Sequence, residues 1–295
     1  MDKLMIIGGS GLLGGHLIQF SKNEFNVVAT YNNHPFKIKD CKSVHMDITD
    51  MNKTENTILK ERPDLVILTA AQRNVDYCER NQKEVKKINI EGVKNVALAS
   101  NKVQAKLVYL STDLVFDGEK GHYDEKDTTN PVNYYGKTKL DGERKVQNTS
   151  HNYAIARVSV LYDWNLFDHT TNFVTWVCEG LKKGKQIQLF SDQYRNATYI
   201  KNACEALLSI YKKNEKGIFH VAGANCENRF YIGKKVAEIF GFDENLIIPC
   251  MSDEGNWLAK RPKKCCLNVK KMEKRLNVRP MSIEEGIKAM KEHIG

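Results

Sequence analysis

The sequence predicts an α/β fold built on a parallel, doubly wound sheet. Short apolar runs, typical of buried parallel strands, alternate with helical segments through the first half of the chain. A glycine-rich turn, from Gly8 to Gly14, follows the first of these runs directly. The chain has 295 residues, of which 41% are hydrophobic, enough for one large domain and a smaller lobe.

The predicted elements follow one another in order along the chain. Strands are expected at 4–7, 26–30, 43–46, 64–69, 106–111 and 153–158, and helices from the glycine turn to Phe20 and over 84–100. Asn130 and Pro131 predict the N-cap and first position of a helix that runs toward Val146. Further on, helices are expected near 172–183, 200–212 and 231–240, with short strands at 187–190 and 218–221.

A change of pattern near residue 161 predicts two regions. Residues 1–160 would form a dinucleotide-binding domain of Rossmann type, and residues 161–295 mainly a substrate-binding lobe, with an interleaved boundary. We expect this lobe to cover the carboxyl edge of the sheet, where open α/β folds bind their ligands.

Composition and charge argue against several classes of protein. No apolar run approaches the roughly 20 residues of a membrane-spanning helix, and the chain begins directly with a strand, so we expect a cytoplasmic protein without a membrane partner. The net charge of +9 is widely spread, and its densest cluster, 260–264, has no interleaved aromatic residues. This argues against nucleic acid and suits a phosphate-rich ligand. The eight cysteines form no C-x-x-C pair, so we expect free, buried thiols and no metal site.

The glycine turn offers a site for a dinucleotide cofactor. Its sequence, Gly8-Gly9-Ser10-Gly11-Leu12-Leu13-Gly14, lies between a predicted strand and a predicted helix. Glycines let the backbone approach a pyrophosphate, and the helix N-terminus supplies amide donors and positive potential. The alternative is a tight strand–helix turn that binds no ligand.

The ends of the next strands predict further cofactor contacts. The second strand ends in Tyr31 and Asn32 without a carboxylate, which slightly favours NADP over NAD, although asparagine also serves as a turn residue. Asp47-Ile48 follows the third strand, where an adenine would lie; the alternative is a helix-capping aspartate. Ala70-Ala71 follows the fourth strand and would let a flat cofactor lie close, or simply allow a helix to pack.

Thr112, Tyr135 and Lys139 form the predicted catalytic set. Tyr135 and Lys139 are four residues apart and share one helix face. A cation favours a phenolate, so we expect Lys139 to lower the pKa of Tyr135 from its usual value of about 10. Ser111-Thr112-Asp113 ends the fifth strand and would offer a hydroxyl to a substrate oxygen; the alternative is a turn with an aspartate cap. Beside a nicotinamide, these groups suit hydride chemistry on a carbonyl or alcohol.

In this order, the motifs resemble those of the extended short-chain dehydrogenase/reductase family over almost the whole chain. Within that family they are most similar to the dTDP-4-dehydrorhamnose reductases. The specific blocks are 111–118 and 133–143, and the shorter ones are 75–79, 172–174 and 261–262. The resemblance implies a reductase that uses NADPH or NADH on a 4-keto nucleotide sugar in deoxysugar or polysaccharide synthesis. Relatives are often homodimers.

The resemblance also implies roles for individual residues. Tyr135 would donate a proton to the substrate carbonyl, Lys139 would hold the nicotinamide ribose, and Thr112 would orient the carbonyl. Asn89 resembles a helix asparagine that supports the proton relay on the cofactor side. The implied substrate contacts are Val75, Asp113, Asn172, Phe173, Gln193 and Arg261.

The chain departs from the rhamnose-forming pattern at several positions. Val160 stands where those enzymes usually have a tryptophan, 192–198 lacks the usual glycine and proline, and Leu114 replaces a tyrosine. We therefore expect a nucleotide-sugar reductase without committing to rhamnose. Two alternatives stay open: another epimerase or reductase of the family, and a non-catalytic partner similar to the regulatory beta subunit of methionine adenosyltransferase.

Overall fold

A large parallel sheet with helices on both faces, and a smaller lobe, make up the computed structural model, which describes residues 1–255 and 257–293. The strands are β1 Lys3–Ile7, β2 Asn26–Tyr31, β3 Cys41–His45, β4 Leu65–Leu68, β5 Lys106–Thr112, β6 Tyr153–Val158, β7 Leu161–Tyr162, β8 Ile187–Phe190, β9 Tyr194–Arg195, β10 Thr198–Tyr199, β11 Gly217–Val221, β12 Glu227–Asn228, β13 Ile247–Cys250 and β14 Lys264–Cys265. The helices are α1 Leu12–Ser21, α2 Met51–Glu61, α3 Val75–Arg80, α4 Gln82–Lys86, α5 Val93–Lys102, α6 Tyr134–Thr149, α7 Phe173–Lys182, α8 Ile200–Lys212, α9 Arg229–Phe240 and α10 Ile283–Glu292.

The main sheet confirms the predicted parallel, doubly wound architecture. Its seven strands run in the order β11-β6-β5-β4-β1-β2-β3, and every neighbouring pair is parallel. The chain winds one way from β1 to β3 and the other way from β4 to β6, so the order reverses between β1 and β4. Open α/β folds bind their ligands at such a reversal. β11 joins the sheet beside β6 with Gly217 opposite Ala154, so both predicted regions contribute strands.

The core consists of two layers because successive strand residues point to opposite faces of the sheet. On β1, Leu4 and Ile6 pack in the layer that contains α1 and α8. Met5 and Ile7 pack in the layer that contains α2, α5 and α6. None of these four side chains is more than 1% exposed. The near-continuous apolar sequence of the strand thus reflects burial on both faces.

The smaller lobe has its own apolar core. Helices α7, α9 and α10 pack with the parallel strand pair β8 and β13, and Val177, Ile232 and Ile287 are fully buried among them. A second small sheet has the order β12-β9-β14. Across the described residues, no helix is both long enough and apolar enough to cross a membrane.

The helix α6 begins later than the sequence predicts. Its N-cap is Asn133, whose side chain accepts a hydrogen bond from the amide of Gly136 at 2.9 Å. Asn130, the predicted cap, instead donates its side-chain amide to Asp117 at 3.3 Å. The predicted Asn130 cap is therefore wrong, because a second asparagine offers the same capping chemistry three residues later.

The helix predicted over 84–100 contains a wide turn. The helix α4 leads into a π-helical segment, Lys87–Gly92, which continues directly as α5. π-helical turns within helices occur frequently at functional sites. Asn89 lies inside this segment, so its side chain projects from a locally widened helix.

Two cysteines are bonded to each other, and the expectation that all of them are free thiols is wrong for this pair. Cys226 and Cys266 form a disulfide with their Cα atoms 5.6 Å apart. They are separated by 40 residues in sequence. They meet because β12 and β14, which adjoin them in sequence, both pair with β9. The other six cysteines are free, and four of these are buried.

A buried ion pair fastens α6 to the sheet. Arg157 of β6 donates two hydrogen bonds to the carboxylate of Glu143 on α6, at 2.9 and 2.7 Å. Ser111 of β5 donates to the same carboxylate at 2.5 Å. Glu143 and Arg157 are 1% and 3% exposed. Loss of either partner would leave the other charge buried and uncompensated.

We expect Glu143→Gln to destabilise the protein by about 3–5 kcal/mol, because it leaves the Arg157 guanidinium buried beside a neutral amide. The free energy of unfolding from urea denaturation measures the effect. Asp141→Asn is the matched control, since Asp141 lies on the same helix and pairs with Arg144 at the surface. Its loss should cost less than about 1 kcal/mol. Equal losses for the two variants would contradict this account.

Candidate active site

A cavity of about 600 Å³ opens at the carboxyl ends of the parallel strands. It lies where the strand order reverses, and it joins the turn after β1 to residues of α6, α7 and α9. The residues predicted from the sequence that line it are Gly8, Ser10, Gly11, Leu12, Leu13, Gly14, Tyr31, Asn32, Asp47, Ile48, Ala70, Ala71, Thr112, Asp113, Tyr135, Lys139, Asn172 and Phe173. The predicted cofactor and catalytic residues, Asn89 excepted, thus share one cavity.

The glycine turn presents backbone to the cavity at positions where a side chain would not fit. Gly8 has a φ of 100°, and a Cβ there would lie 2.7 Å from the hydroxyl of Thr69. A Cβ on Gly14 would overlap the carbonyl oxygen of Gly8. Gly11 is the N-cap of α1 and brings no side chain to cap the first-turn amides. These amides are therefore open to a ligand, and the turn fits a pyrophosphate.

Asp47 lines the cavity and does not cap the helix that follows it. The N-cap of α2 is Asp50, whose side chain accepts a hydrogen bond from the amide of Lys53 at 3.0 Å. Asp47 accepts one from the amide of Thr49 at 2.8 Å. The capping alternative for Asp47 is thereby excluded, and its carboxylate is placed beside Ile48 at the cavity wall.

Thr112, Tyr135 and Lys139 meet at the same cavity wall. Thr112 ends β5, and the other two lie one turn apart on α6. Tyr135 and Thr112 both line the cavity. The Lys139 Nζ donates to the carbonyl of Leu110 at 2.6 Å and lies 4.2 Å from the centre of the Tyr109 ring. Because Leu110 belongs to β5, this hydrogen bond fixes α6 against the strand that carries Thr112.

The expected lowering of the Tyr135 pKa is not observed. Burial raises the pKa of Tyr135 well above its usual value, the charge of Asp113 adds to the rise, and the neighbouring Thr112 hydroxyl opposes it. Burial lowers the pKa of Lys139 to about 7. Removal from water disfavours the charged form of each group, so the two pKa values move in opposite directions. Without a bound ligand, Tyr135 therefore keeps its proton at neutral pH.

The carboxylate of Asp113 is held by other side chains of the protein. It accepts hydrogen bonds from Ser159 at 2.7 Å and from Thr112 at 3.0 Å. It also pairs with Arg195 of β9 at 3.2 Å. Asp113 was predicted as a substrate contact, but it lines the cavity with its oxygens already engaged. Arg195 stands where the rhamnose-forming pattern has a glycine, so this departure creates the ion pair.

Asn89 lies behind the cavity wall. Its side chain accepts a hydrogen bond from the amide of Gln72 at 2.9 Å and donates to the carbonyl of the same residue at 3.0 Å. It also donates to the hydroxyl of Thr138 at 3.1 Å. Asn89 does not line the cavity, but it fixes the backbone of Gln72, which does. The structure thus gives it a positioning role between β4 and α6.

Three predicted substrate contacts are not in the cavity lining. Val75 is the first residue of α3. Gln193 is buried just before β9. Arg261 pairs with Asp76 at 2.9 Å, and its guanidinium lies 5.3 Å from the centre of the Trp257 ring. These three side chains thus lie outside the cavity lining.

Sequence reasoning missed several residues that line the cavity. Arg73 and Arg229 bring two cations to it, and Gln72 contributes through its position after β4. Val160 lines it with a φ of 36°, a strained conformation for a β-branched residue. The position of Arg73 just after Ala70-Ala71 could have identified it from the sequence as a cavity residue. No sequence pattern identifies Arg229 as a cavity residue, because its position depends on how the smaller lobe packs.

Within the described residues, no group of three or more His, Cys, Asp or Glu side chains is arranged to hold a metal ion. The cavity wall carries hydroxyls, carboxylates, the amine of Lys139, guanidinium groups and backbone amides. Together these groups can bind anions and move protons.

Comparison with known proteins gives consistent matches over the whole chain. The family model described as the RmlD substrate binding domain matches residues 2–295. A probable low-salt glycan biosynthesis reductase from Haloferax volcanii is 29% identical, over 97% of this chain and 96% of that protein. The methionine adenosyltransferase 2 subunit beta of Bos taurus is 27% identical, over 92% of this chain and 81% of that protein. A dTDP-4-dehydrorhamnose reductase from Bacillus anthracis, solved in complex with NADP, is 28% identical with a TM-score of 0.86 and covers 99% of both chains.

The lowered pKa of Lys139 gives the unliganded protein a specific pH dependence. The unfolded chain binds the lysine proton up to a pKa of about 10.4, whereas the folded chain releases it near pH 7. The contribution of Lys139 to the free energy of unfolding should therefore rise with pH between about 7 and 10, by up to about 1.4 kcal/mol per pH unit, and be lost again as the pH falls.

Urea unfolding of the cofactor-free protein from pH 7 to 10 tests this dependence. Lys139→Met should lack this contribution, so the free energy of unfolding of wild type minus that of the variant should increase with pH. Lys137→Met is the control, since Lys137 is exposed on the same helix. Parallel curves for wild type and Lys139→Met would show that Lys139 is protonated equally in the folded and unfolded chains.

Proposed function

Because the chain belongs to the family of the RmlD substrate binding domain, we propose that it is an NAD(P)H-dependent reductase of a 4-keto nucleotide sugar, similar to dTDP-4-dehydrorhamnose reductase. The observation that most directly supports this proposal is that the glycine turn, Thr112, Tyr135 and Lys139 all line one cavity. Proton donors and a dinucleotide cradle are both needed for carbonyl reduction, and here they are adjacent. The product would enter deoxysugar or polysaccharide synthesis.

The cofactor would be held along the floor of the cavity. The amides of the glycine turn fit its pyrophosphate, and Asp47 and Ile48 line the place expected for adenine. Lys139 would hold the nicotinamide ribose. When bound, the cofactor supplies the hydride. The absence of a carboxylate after β2, where Tyr31 and Asn32 lie, supports a slight preference for NADP.

The chain's own residues would bind and protonate the substrate. Tyr135 retains its proton in the buried site and can donate it to the carbonyl oxygen as that oxygen gains negative charge. Thr112 would orient the same oxygen with its hydroxyl. Asn172 and Phe173, at the start of α7, line the cavity and would contact the rest of the nucleotide sugar.

Val160 supports a nucleotide-sugar reductase without a commitment to rhamnose. It lines the cavity where rhamnose-forming enzymes usually place a tryptophan, so a large apolar contact is replaced by a small one. The division into a dinucleotide-binding domain, 1–160, and a mainly substrate-binding lobe, 161–295, is part of the same proposal. A homodimer is also proposed, and sedimentation analysis tests it.

A regulatory subunit is the alternative function, because the chain is also similar to the methionine adenosyltransferase 2 subunit beta of Bos taurus. A panel of keto-sugar nucleotides, read by NADPH absorbance, separates the possibilities. Oxidation of NADPH with formation of one sugar epimer supports the reductase. Cofactor binding without turnover of any sugar, together with co-purification of a partner enzyme, supports the subunit.

We expect Tyr135→Phe to lower turnover about 10²–10⁴-fold, because general acid catalysis contributes about that much. NADPH affinity should stay nearly unchanged, which fluorescence titration measures. Tyr134→Phe is the control, since the neighbouring Tyr134 hydroxyl donates to the carbonyl of Gln82 at 3.2 Å outside the cavity. Full turnover in Tyr135→Phe would refute the assignment of the proton donor.

A further inference from the structure

Arg229 is a cation in the cavity that the described residues leave without an anionic partner. It is the first residue of α9, whose N-cap is Asn228. Its guanidinium carbon lies 4.3 Å from the centre of the Phe173 ring, and the side chain lines the cavity. Within residues 1–255 and 257–293, the guanidinium makes neither a hydrogen bond nor an ion pair. It is oriented by an aromatic face, and its donors remain free.

The arginines near Arg229 are all engaged, which makes its lack of a partner informative. Arg195 pairs with Asp113 at 3.2 Å and donates to the carbonyl of Pro262 at 2.7 Å. Arg261 pairs with Asp76 at 2.9 Å. Arg229 is only partly exposed, and a folded chain usually pairs a guanidinium that is shielded from water. Arg229 is therefore poised for a partner that the chain does not supply.

The charge on Arg229 persists at neutral pH. Burial lowers its pKa to about 10, and the charges of Arg195 and Arg261 act in the same direction. Arg229, Asp113 and Tyr135 all line the same cavity.

Acidic residues of the cavity wall do not neutralise this cation. The wall contains Asp113, which is held by Arg195, and Asp47, which lies beside Ile48. Arg73 lines the same cavity, and among the described residues its guanidinium donates only to the carbonyl of Thr171, at 3.1 Å. The part of the cavity that receives the substrate is thus positively charged.

We propose that Arg229 binds a pair of anionic oxygens of the substrate through a bidentate hydrogen bond. The planar guanidinium fork matches either a phosphate or a carboxylate. In a nucleotide sugar, these oxygens come from the diphosphate or from a carboxylate on the sugar ring. The inference rests on the proposed function, because it concerns the substrate that shares the cavity with Tyr135.

Calorimetric titration in saturating NADPH tests the proposal without requiring turnover. The ligands are dTDP and dTMP for the diphosphate, and UDP-glucuronate and UDP-glucose for the carboxylate. The proteins are wild type, Arg229→Met, Arg229→Lys and a control, Arg279→Met. Arg279 is exposed and pairs with Glu285 on the smaller lobe. NADPH affinity reports whether each variant folds.

If the diphosphate is the partner, Arg229→Met should bind dTDP about 10- to 100-fold more weakly than wild type does. The variant should bind dTMP almost as tightly as wild type does. If a sugar carboxylate is the partner, only UDP-glucuronate should lose affinity. Arg229→Lys keeps the charge without the fork and should be intermediate. Arg279→Met should match wild type for every ligand.

Two outcomes would overturn the proposed role of Arg229, and the second would also overturn the proposed substrate class. In the first outcome, Arg229→Met binds all four ligands within about twofold of wild type, which would remove only the role of Arg229. The proposed function would still stand if the protein reduces a keto sugar. Failure of wild type to bind any nucleotide or nucleotide sugar would remove the role of Arg229 and the proposed substrate class together.

Discussion

The parallel register of the main sheet is the constraint on which the site depends. Parallel strands all end at the same edge, so residues far apart in sequence meet there. The turn after β1, the residues after β4, the Thr112 end of β5 and the Val160 segment after β6 arrive at one cavity in this way. Reversal of the strand order between β1 and β4 opens the edge for a ligand.

Two buried ion pairs hold in place the elements that form the walls of this cavity. Glu143 with Arg157 holds the helix α6 against β5 and β6, and so sets Tyr135 beside Thr112. Asp113 with Arg195 holds the end of β5 to the small sheet of β9. Buried pairs add little net stability, but removal of one partner is costly. Their contribution here is to specify where α6 and the smaller lobe sit.

Burial also determines the protonation of the site before any ligand binds. Tyr135 keeps its proton, and Lys139 loses its proton near pH 7, because the same loss of water disfavours both charged forms. The lysine donates to a backbone carbonyl and packs on Tyr109. Without a ligand the proton therefore stays on the phenol, while the guanidinium groups of Arg73 and Arg229 bring positive charge to the same cavity.

The sequence alone determined the features that local rules govern. Apolar strand runs fixed the parallel sheet, the glycines fixed a turn open to a pyrophosphate, and the spacing of Tyr135 and Lys139 fixed a shared helix face. These depend on a few neighbouring residues and on backbone sterics. Even so, the choice between two capping asparagines, Asn130 and Asn133, was not decided by local chemistry.

Only the tertiary structure decided which distant side chains meet. The pairing of Asp113 with Arg195 and the disulfide between Cys226 and Cys266 join segments that the sequence separates by tens of residues. The packing of the smaller lobe likewise places Arg229 in the cavity, where the described residues give its guanidinium no anionic partner. The raised pKa of Tyr135 belongs to the same class, because burial is a property of the packed chain and not of the motif. Local sequence patterns specify a helix, strand or turn. The charges around that helix, strand or turn and its exposure to water depend on the distant segments that pack against it.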